Sequence, residues 1–139
     1  MTLPSDELIL DAHLGDDGII YIKATGKITN VHLEQFSHWT DSIKALIRGQ
    51  AEHGTDPILV FADIGGVVHY ERKPVTILRE LMDYDKQFPV RTAIVGASHL
   101  MGILFDSLIA ILTRKKIRQF RTQGEALFWL AAGVKNKAN

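Results

Sequence analysis

Residues 58–74 constrain the fold more than any other part of this chain. Their first half, residues 58–64, is almost entirely apolar, which is typical of a central strand covered on both faces. Gly65 and Gly66 then predict a turn. A loop should follow and lead into a helix whose first position is Pro74, where the missing proline N–H costs nothing. A buried strand joined to a helix in this way indicates an α/β domain.

The rest of the chain fits the same class. Two short alternating runs, residues 7–13 and 18–24, flank the turn sequence Gly15-Asp16-Asp17-Gly18 and predict an antiparallel hairpin. Apolar spacing predicts helices at 29–49, 74–86, 98–113 and 125–132, and further strands at 90–96 and 117–121. Ser98 should cap the third helix, and Thr122 with Glu125 should form a capping box at the fourth.

The element order is therefore ββαβαβαβα. Strands that alternate with helices imply parallel crossovers, so we predict a mixed sheet of about five strands with helices packed against it. At 139 residues the chain forms a single domain. We place this domain at residues 5–133 and expect flexible termini at 1–4 and 134–139.

Composition excludes several function classes. The 16 basic and 16 acidic residues cancel, which argues against nucleic-acid binding. Cysteine is absent and no signal peptide is recognisable, so we expect a cytoplasmic protein. The histidines are scattered, and the sequence lacks the nucleophile-elbow, phosphate-loop and dinucleotide motifs. We predict no catalytic residue, no metal and no cofactor; a hydrolase that uses Ser98 is the remaining enzymatic alternative.

Ligands of open α/β sheets bind at the carboxyl ends of parallel strands. Here those ends fall at residues 63–66 and 96–99. Arg72 and Lys73 are two cations at the helix pole that favours negative charge, which indicates an anion site unless both side chains simply extend into solvent. Asp63 should accept hydrogen bonds from the backbone of the glycine turn. The predicted ligand- or partner-binding residues are His69, Tyr70, Arg72, Lys73, Ser98 and His99.

The third predicted helix is apolar around most of its circumference. An ordinary surface helix shows one apolar stripe, and this run is too short to span a bilayer. It is either a buried core helix, a dimer face, the wall of an apolar cavity or a peripheral membrane contact. The basic cluster at 114–116 and Arg118 favours the last alternative, because clustered cations are attracted to anionic membrane surfaces. The residues predicted for the cavity or dimer face are Met101, Leu104, Phe105 and Leu108.

Three segments carry a resemblance to a known family: residues 61–67 (FADIGGV), 91–96 (RTAIVG) and 120–130 (FRTQGEALFWL). They resemble the STAS superfamily, in particular its SpoIIAA-like branch, which is grouped with the Sec14-like lipid-binding folds. The resemblance covers residues 5–132. In family members that act as phosphorylation switches, Asp-Ser-Ser-Gly precedes the second helix. This chain has Glu71-Arg72-Lys73-Pro74 there, without a phosphorylatable serine.

The resemblance implies a non-catalytic regulatory module. It would bind a small anionic or lipid-like ligand, or a protein partner, at the loop before the second helix. The alternative is a protein-interaction subunit that acts through self-association or through an anti-sigma or kinase-type partner, without a switch serine.

Overall fold

The computed structural model describes residues 7–111 and 116–138. Its elements follow the predicted order ββαβαβαβα. The strands are β1 (Ile9–Leu14), β2 (Ile20–Ile28), β3 (Ile58–Tyr70), β4 (Val90–Val95) and β5 (Ile117–Phe120). The helices are α1 (Leu33–Glu52), which follows a short 3-10 turn, α2 (Arg72–Asp85), α3 (His99–Ile111) and α4 (Gln123–Ala138).

The five strands form one mixed sheet in the order β1-β2-β3-β4-β5. β1 and β2 pair antiparallel, and all later neighbours pair parallel. The predicted hairpin turn is confirmed, because the Gly18 N–H donates to the Gly15 carbonyl over 3.0 Å and Gly18 has a φ of 82°. The strand pairing also confirms the predicted mixed sheet of five strands.

Helices cover both faces of the sheet. The larger core lies under α1, α2 and α3, while α4 covers a smaller cluster on the opposite face that includes Phe61, Ala93 and Leu130. In α1 the buried side chains recur at helical spacing, at Phe36, Trp39, Thr40, Ile43 and Ile47. This periodicity is what turns one side of α1 towards the sheet.

The structure corrects the prediction of a turn at Gly65 and Gly66. β3 continues through both glycines to Tyr70 and stays paired with β2, with two shifts of register. A side chain at Gly66 would collide with that of Thr25 on β2, so the glycine permits close pairing of the strands there. The predicted loop is reduced to Glu71, and α2 begins at Arg72 instead of Pro74.

Other boundaries differ by several residues. Helix α1 begins at Leu33 and passes Gly49 to end at Glu52, and α4 continues to Ala138 where we predicted an end at Ala132. The predicted end of α3 at residue 113 lies outside the described residues. The domain limits and the flexibility of the termini stay predictions.

Candidate functional site

A groove of about 330 Å³ lies between the end of β3 and the start of α3. Its walls combine apolar and hydrogen-bonding side chains: Val67, Val68, His69, Tyr70, Ser98 and Met101. The structure thus brings together His69, Tyr70 and Ser98 from the predicted binding set. Sequence reasoning missed Val67 and Val68 because it assigned them to a loop. Side chains alternate between two faces in a strand, and this rule could not be applied to residues placed in a loop.

The backbone of β3 lies in close contact with the residue that follows β4, a short distance in the chain before the groove residues. Gly96 adopts a φ of 84°, a left-handed conformation that glycine accepts readily. A Cβ built on Gly96 would lie 2.5 Å from the Gly65 Cα, so the two backbones touch. The Asp63 carboxylate accepts a hydrogen bond from the Gly65 N–H at 2.9 Å, a contact that we predicted, although in a strand rather than a turn.

Ser98 caps α3, as the sequence predicted. Its Oγ accepts a hydrogen bond from the Met101 N–H at 3.3 Å, and its carbonyl accepts one from the Gly102 N–H at 2.7 Å. The hydroxyl is therefore directed to the helix backbone, as expected of a cap. The side chain of His99 lies outside the described part of the chain, so its predicted role in binding stays a prediction.

The end of β3 is held in place by β2 and by the residues that follow β2. Tyr70 pairs with Ile28, and His69 pairs with Lys27. The Glu71 N–H donates to the Ile28 carbonyl at 2.9 Å, and the Glu71 carboxylate accepts a hydrogen bond from the Asn30 N–H at 2.7 Å. The exposed His69 and the half-buried Tyr70 therefore sit on a fixed backbone.

Arg72 and Lys73 are exposed at the start of α2 and do not line the groove. Neither side chain makes an ion pair within the described residues. Arg72 and Lys73 come two and three residues after Tyr70, which lines the groove. Their charges therefore lie beside the groove rather than inside it.

Helix α3 turns most of its described apolar residues to the core. Met101, Phe105 and Leu108 are buried and Leu104 is half-buried, whereas Ile103 keeps 52% of its surface exposed. Met101 and Phe105 also line an apolar cavity of about 80 Å³ between the sheet and the three helices. Leu104 and Leu108 do not line it. Of the four alternatives for this helix, burial in the core is observed, and self-association or membrane contact stays a prediction.

Comparisons with solved structures identify the fold. An uncharacterised DUF3478-family protein from Shewanella loihica PV-4 with a SpoIIAA-like fold matches 94% of this chain and 98% of its own, with a TM-score of 0.62 and 22% identity. An anti-sigma factor antagonist from Mycobacterium paratuberculosis matches 94% of this chain and 99% of its own, with a TM-score of 0.63 and 15% identity. This chain has the SpoIIAA-like fold.

SpoIIAA itself, in its unphosphorylated form, matches 90% of this chain and 99% of its own, with a TM-score of 0.57 and 12% identity. The resemblance to SpoIIAA-like proteins is thereby confirmed for the fold. No family model matches the sequence, and a search of curated proteins by sequence found no match.

On the other face of this SpoIIAA-like sheet, Arg91 is a further feature that sequence reasoning missed. Its guanidinium lies 3.6 Å from the centroid of the Trp129 ring and donates to the Trp129 carbonyl at 2.9 Å. Burial lowers the pKa of Arg91, and the charge of Arg118 lowers it further. This pair anchors α4 to β4 and leaves Phe128 projecting, with 76% of its surface exposed.

Two further properties concern the described residues as a whole. No three histidine, aspartate or glutamate side chains among them lie close enough together to hold a metal ion. No helix in this part of the chain is long and apolar enough to cross a membrane.

Proposed function

We propose that this chain is a non-catalytic regulatory module that binds an acidic segment of a partner protein. The segment would lie in the groove between β3 and α3, with its carboxylates towards Arg72 and Lys73. The observation that carries this proposal is the placement of a half-apolar groove beside two exposed cations that have no ion-pair partner among the described residues.

The chemistry of the groove favours a protein segment. Val68 keeps 58% of its surface exposed and offers an apolar contact, while His69, Tyr70 and Ser98 offer hydrogen-bonding groups. An apolar contact surrounded by polar and charged groups is the usual anatomy of a protein interface.

The fold neighbours support a partner of this kind. Two of the similar structures are described as anti-sigma factor antagonists, a name that refers to action on another protein. Their low identity to this chain shows a shared fold alone, so the identity of the partner is left to experiment.

Photocrosslinking tests the proposal in cells that express this protein. Val68 is replaced by p-benzoylphenylalanine, and the same substitution at Phe128, which is exposed on the opposite face, is the control. We expect one defined protein adduct from position 68 and not from position 128. No adduct at position 68, or the same adduct from both positions, would overturn the proposed site.

The charges are tested on the protein that the crosslink identifies. Arg72→Ala combined with Lys73→Ala should weaken its binding by roughly tenfold, because two favourable charge contacts are lost. Arg79→Ala with Lys86→Ala removes the same charge farther along the chain, at one position in α2 and one directly after its end, and should change binding by less than about twofold. Both double variants should keep the melting temperature. Equal losses of binding in the two variants would contradict a local charge contact.

A further inference from the structure

The groove and the apolar cavity have two lining residues in common. Val67 and Met101 line the groove on the surface, and both also line the cavity inside the larger core. Among the described residues, Val67 and Met101 therefore border both spaces, and a shift of either side chain would bring the two spaces closer together.

The described residues contribute no polar surface to the cavity lining. Its walls are aliphatic and aromatic side chains from β2, β3 and the three helices, including Ile22, Ala62, Phe36, Met82 and Phe105. A cavity of this kind excludes water and takes up small apolar molecules instead. Its volume of about 80 Å³ corresponds to roughly three water molecules in the liquid, so a few carbon atoms fit without any rearrangement.

The side chain best placed to open the entrance is Met101. Methionine has an unbranched side chain that adopts many shapes at small cost, and here it lies in the first turn of α3, where its N–H donates to the Ser98 cap. Met82, a second methionine, lines the same cavity from α2. The cavity can therefore adjust its shape to a flexible chain better than a cavity lined only by branched residues.

The groove outside the entrance suits an anionic group. It offers His69, Tyr70 and Ser98 as hydrogen-bonding residues, and the exposed Arg72 begins α2 two residues after Tyr70. We infer that the groove and cavity together bind a short straight-chain carboxylate, with its carboxylate in the groove and its apolar end between Val67 and Met101 in the cavity. This site does not depend on the proposed protein partner.

Methyl NMR on the intact chain tests the inference. The protein is labelled with ¹³C at the methionine methyl groups, and hexanoate is the probe, since about three of its carbons match the cavity volume. We expect the Met82 and Met101 signals to shift and to saturate as hexanoate is added. Acetate, which has the carboxylate but lacks the longer apolar chain, should leave the chemical shifts of both methionines unchanged. An absence of shifts with hexanoate, or equal shifts with acetate, would overturn the site.

A neutral probe tests the polar half of the site. 1-Hexanol has the same apolar chain and no charge, so we expect it to bind at least about fivefold more weakly than hexanoate if the groove favours an anion. Binding of hexanol as tight as that of hexanoate would overturn the role assigned to the groove.

Variants that fill the cavity locate the binding. Ala62→Val adds two carbons at the cavity wall and should abolish the hexanoate-induced shifts; Ala24→Val, at a second wall position, does the same if the first variant folds poorly. Ala12→Val is the matched control, because Ala12 pairs with Ile22 but does not line the cavity, and it should bind normally. Full binding by folded Ala62→Val and Ala24→Val would contradict the site. Since neither substitution lies in the groove lining, loss of hexanoate with an intact Val68 crosslink separates this inference from the proposed function.

Discussion

Gly96 and Gly54 form a natural comparison, because both have positive φ but only one is enclosed. Gly54 has a φ of 79° and open space around its Cα, whereas a Cβ on Gly96 would lie 2.5 Å from Gly65. Gly54→Ala should therefore cost about 1–2 kcal/mol of unfolding free energy for the left-handed backbone alone. Gly96→Ala should cost about 1–3 kcal/mol more, because β3 and β4 must also separate. Urea unfolding of the two variants measures the difference, and equal costs would mean that the strands separate freely.

The same glycine shows what can be read from single residues. A break after β4 at Gly96 was predictable from the residue type, and so was the Ser98 cap, because both depend on local backbone chemistry. The contact with Gly65 was not predictable, since it joins positions about thirty residues apart whose approach depends on strand pairing. The capping box was half right. The Thr122 Oγ accepts from the Glu125 N–H at 3.2 Å, but the Glu125 carboxylate contacts the Thr122 hydroxyl rather than its N–H.

Among the elements, the β1–β2 hairpin contains a pH-sensitive contact. The Tyr21 hydroxyl donates to the Asp17 carboxylate at 2.5 Å, and the Ile19 N–H donates to the same residue at 3.0 Å. These bonds, that of Tyr21 foremost, lower the pKa of Asp17, and the bond to Asp17 raises the pKa of Tyr21. The Asp17 contribution to stability is thus present above the ordinary aspartate pKa and is lost as the pH falls through the lowered one. The Tyr21 contribution is present below the ordinary tyrosine pKa and is lost as the pH rises through the raised one.

Replacement of Tyr21 by Phe tests this contact. The substitution removes the largest cause of the shift, so the pKa of Asp17 should move up towards its ordinary value. Carboxyl NMR titration of both proteins measures the change, and an unchanged Asp17 pKa would show that the Ile19 N–H alone holds the carboxylate.

Element order was predictable and element length was not. The period of the apolar residues differs between strand and helix, which is why the order ββαβαβαβα followed from the sequence. Gly65 and Gly66 predict a turn on local grounds, yet β3 runs through them because pairing with β2 outweighs their local preference. That error moved His69 and Tyr70 from a strand to a loop, and it concealed Val67 and Val68 as walls of the groove. The sequence correctly predicted that α3 is an apolar helix. It could not predict whether the apolar residues face a core, a cavity or another chain, because the elements packed around α3 decide this.

At the scale of the whole molecule, the two faces of the sheet are packed differently. The face under α1, α2 and α3 contains the cavity of about 80 Å³, whereas Ala93 on the other face is fully buried beneath α4, together with Ala126 and Leu130. The positions of the groove and its cations could be approximated from strand ends, because ligands favour that edge of a parallel sheet. The cavity could not be predicted, since it results from the sum of many side-chain volumes contributed by distant segments.

This asymmetry predicts opposite effects for one substitution at two buried alanines. A cavity of this size lowers the free energy of unfolding by about 2 kcal/mol, at the usual cost of about 24 cal/mol per Å³. Ala62→Val occupies part of that space with a β-branched residue suited to a strand, so it should stabilise the fold by about 0.5–1.5 kcal/mol. Ala93→Val adds the same carbons in β4 where α4 leaves no room, and it should destabilise the fold by about 1–3 kcal/mol. Urea denaturation of both variants against the parent chain measures the two changes. A loss of stability in Ala62→Val as large as that in Ala93→Val would mean that the space beside Ala62 is already filled in solution, and that the two faces are packed alike.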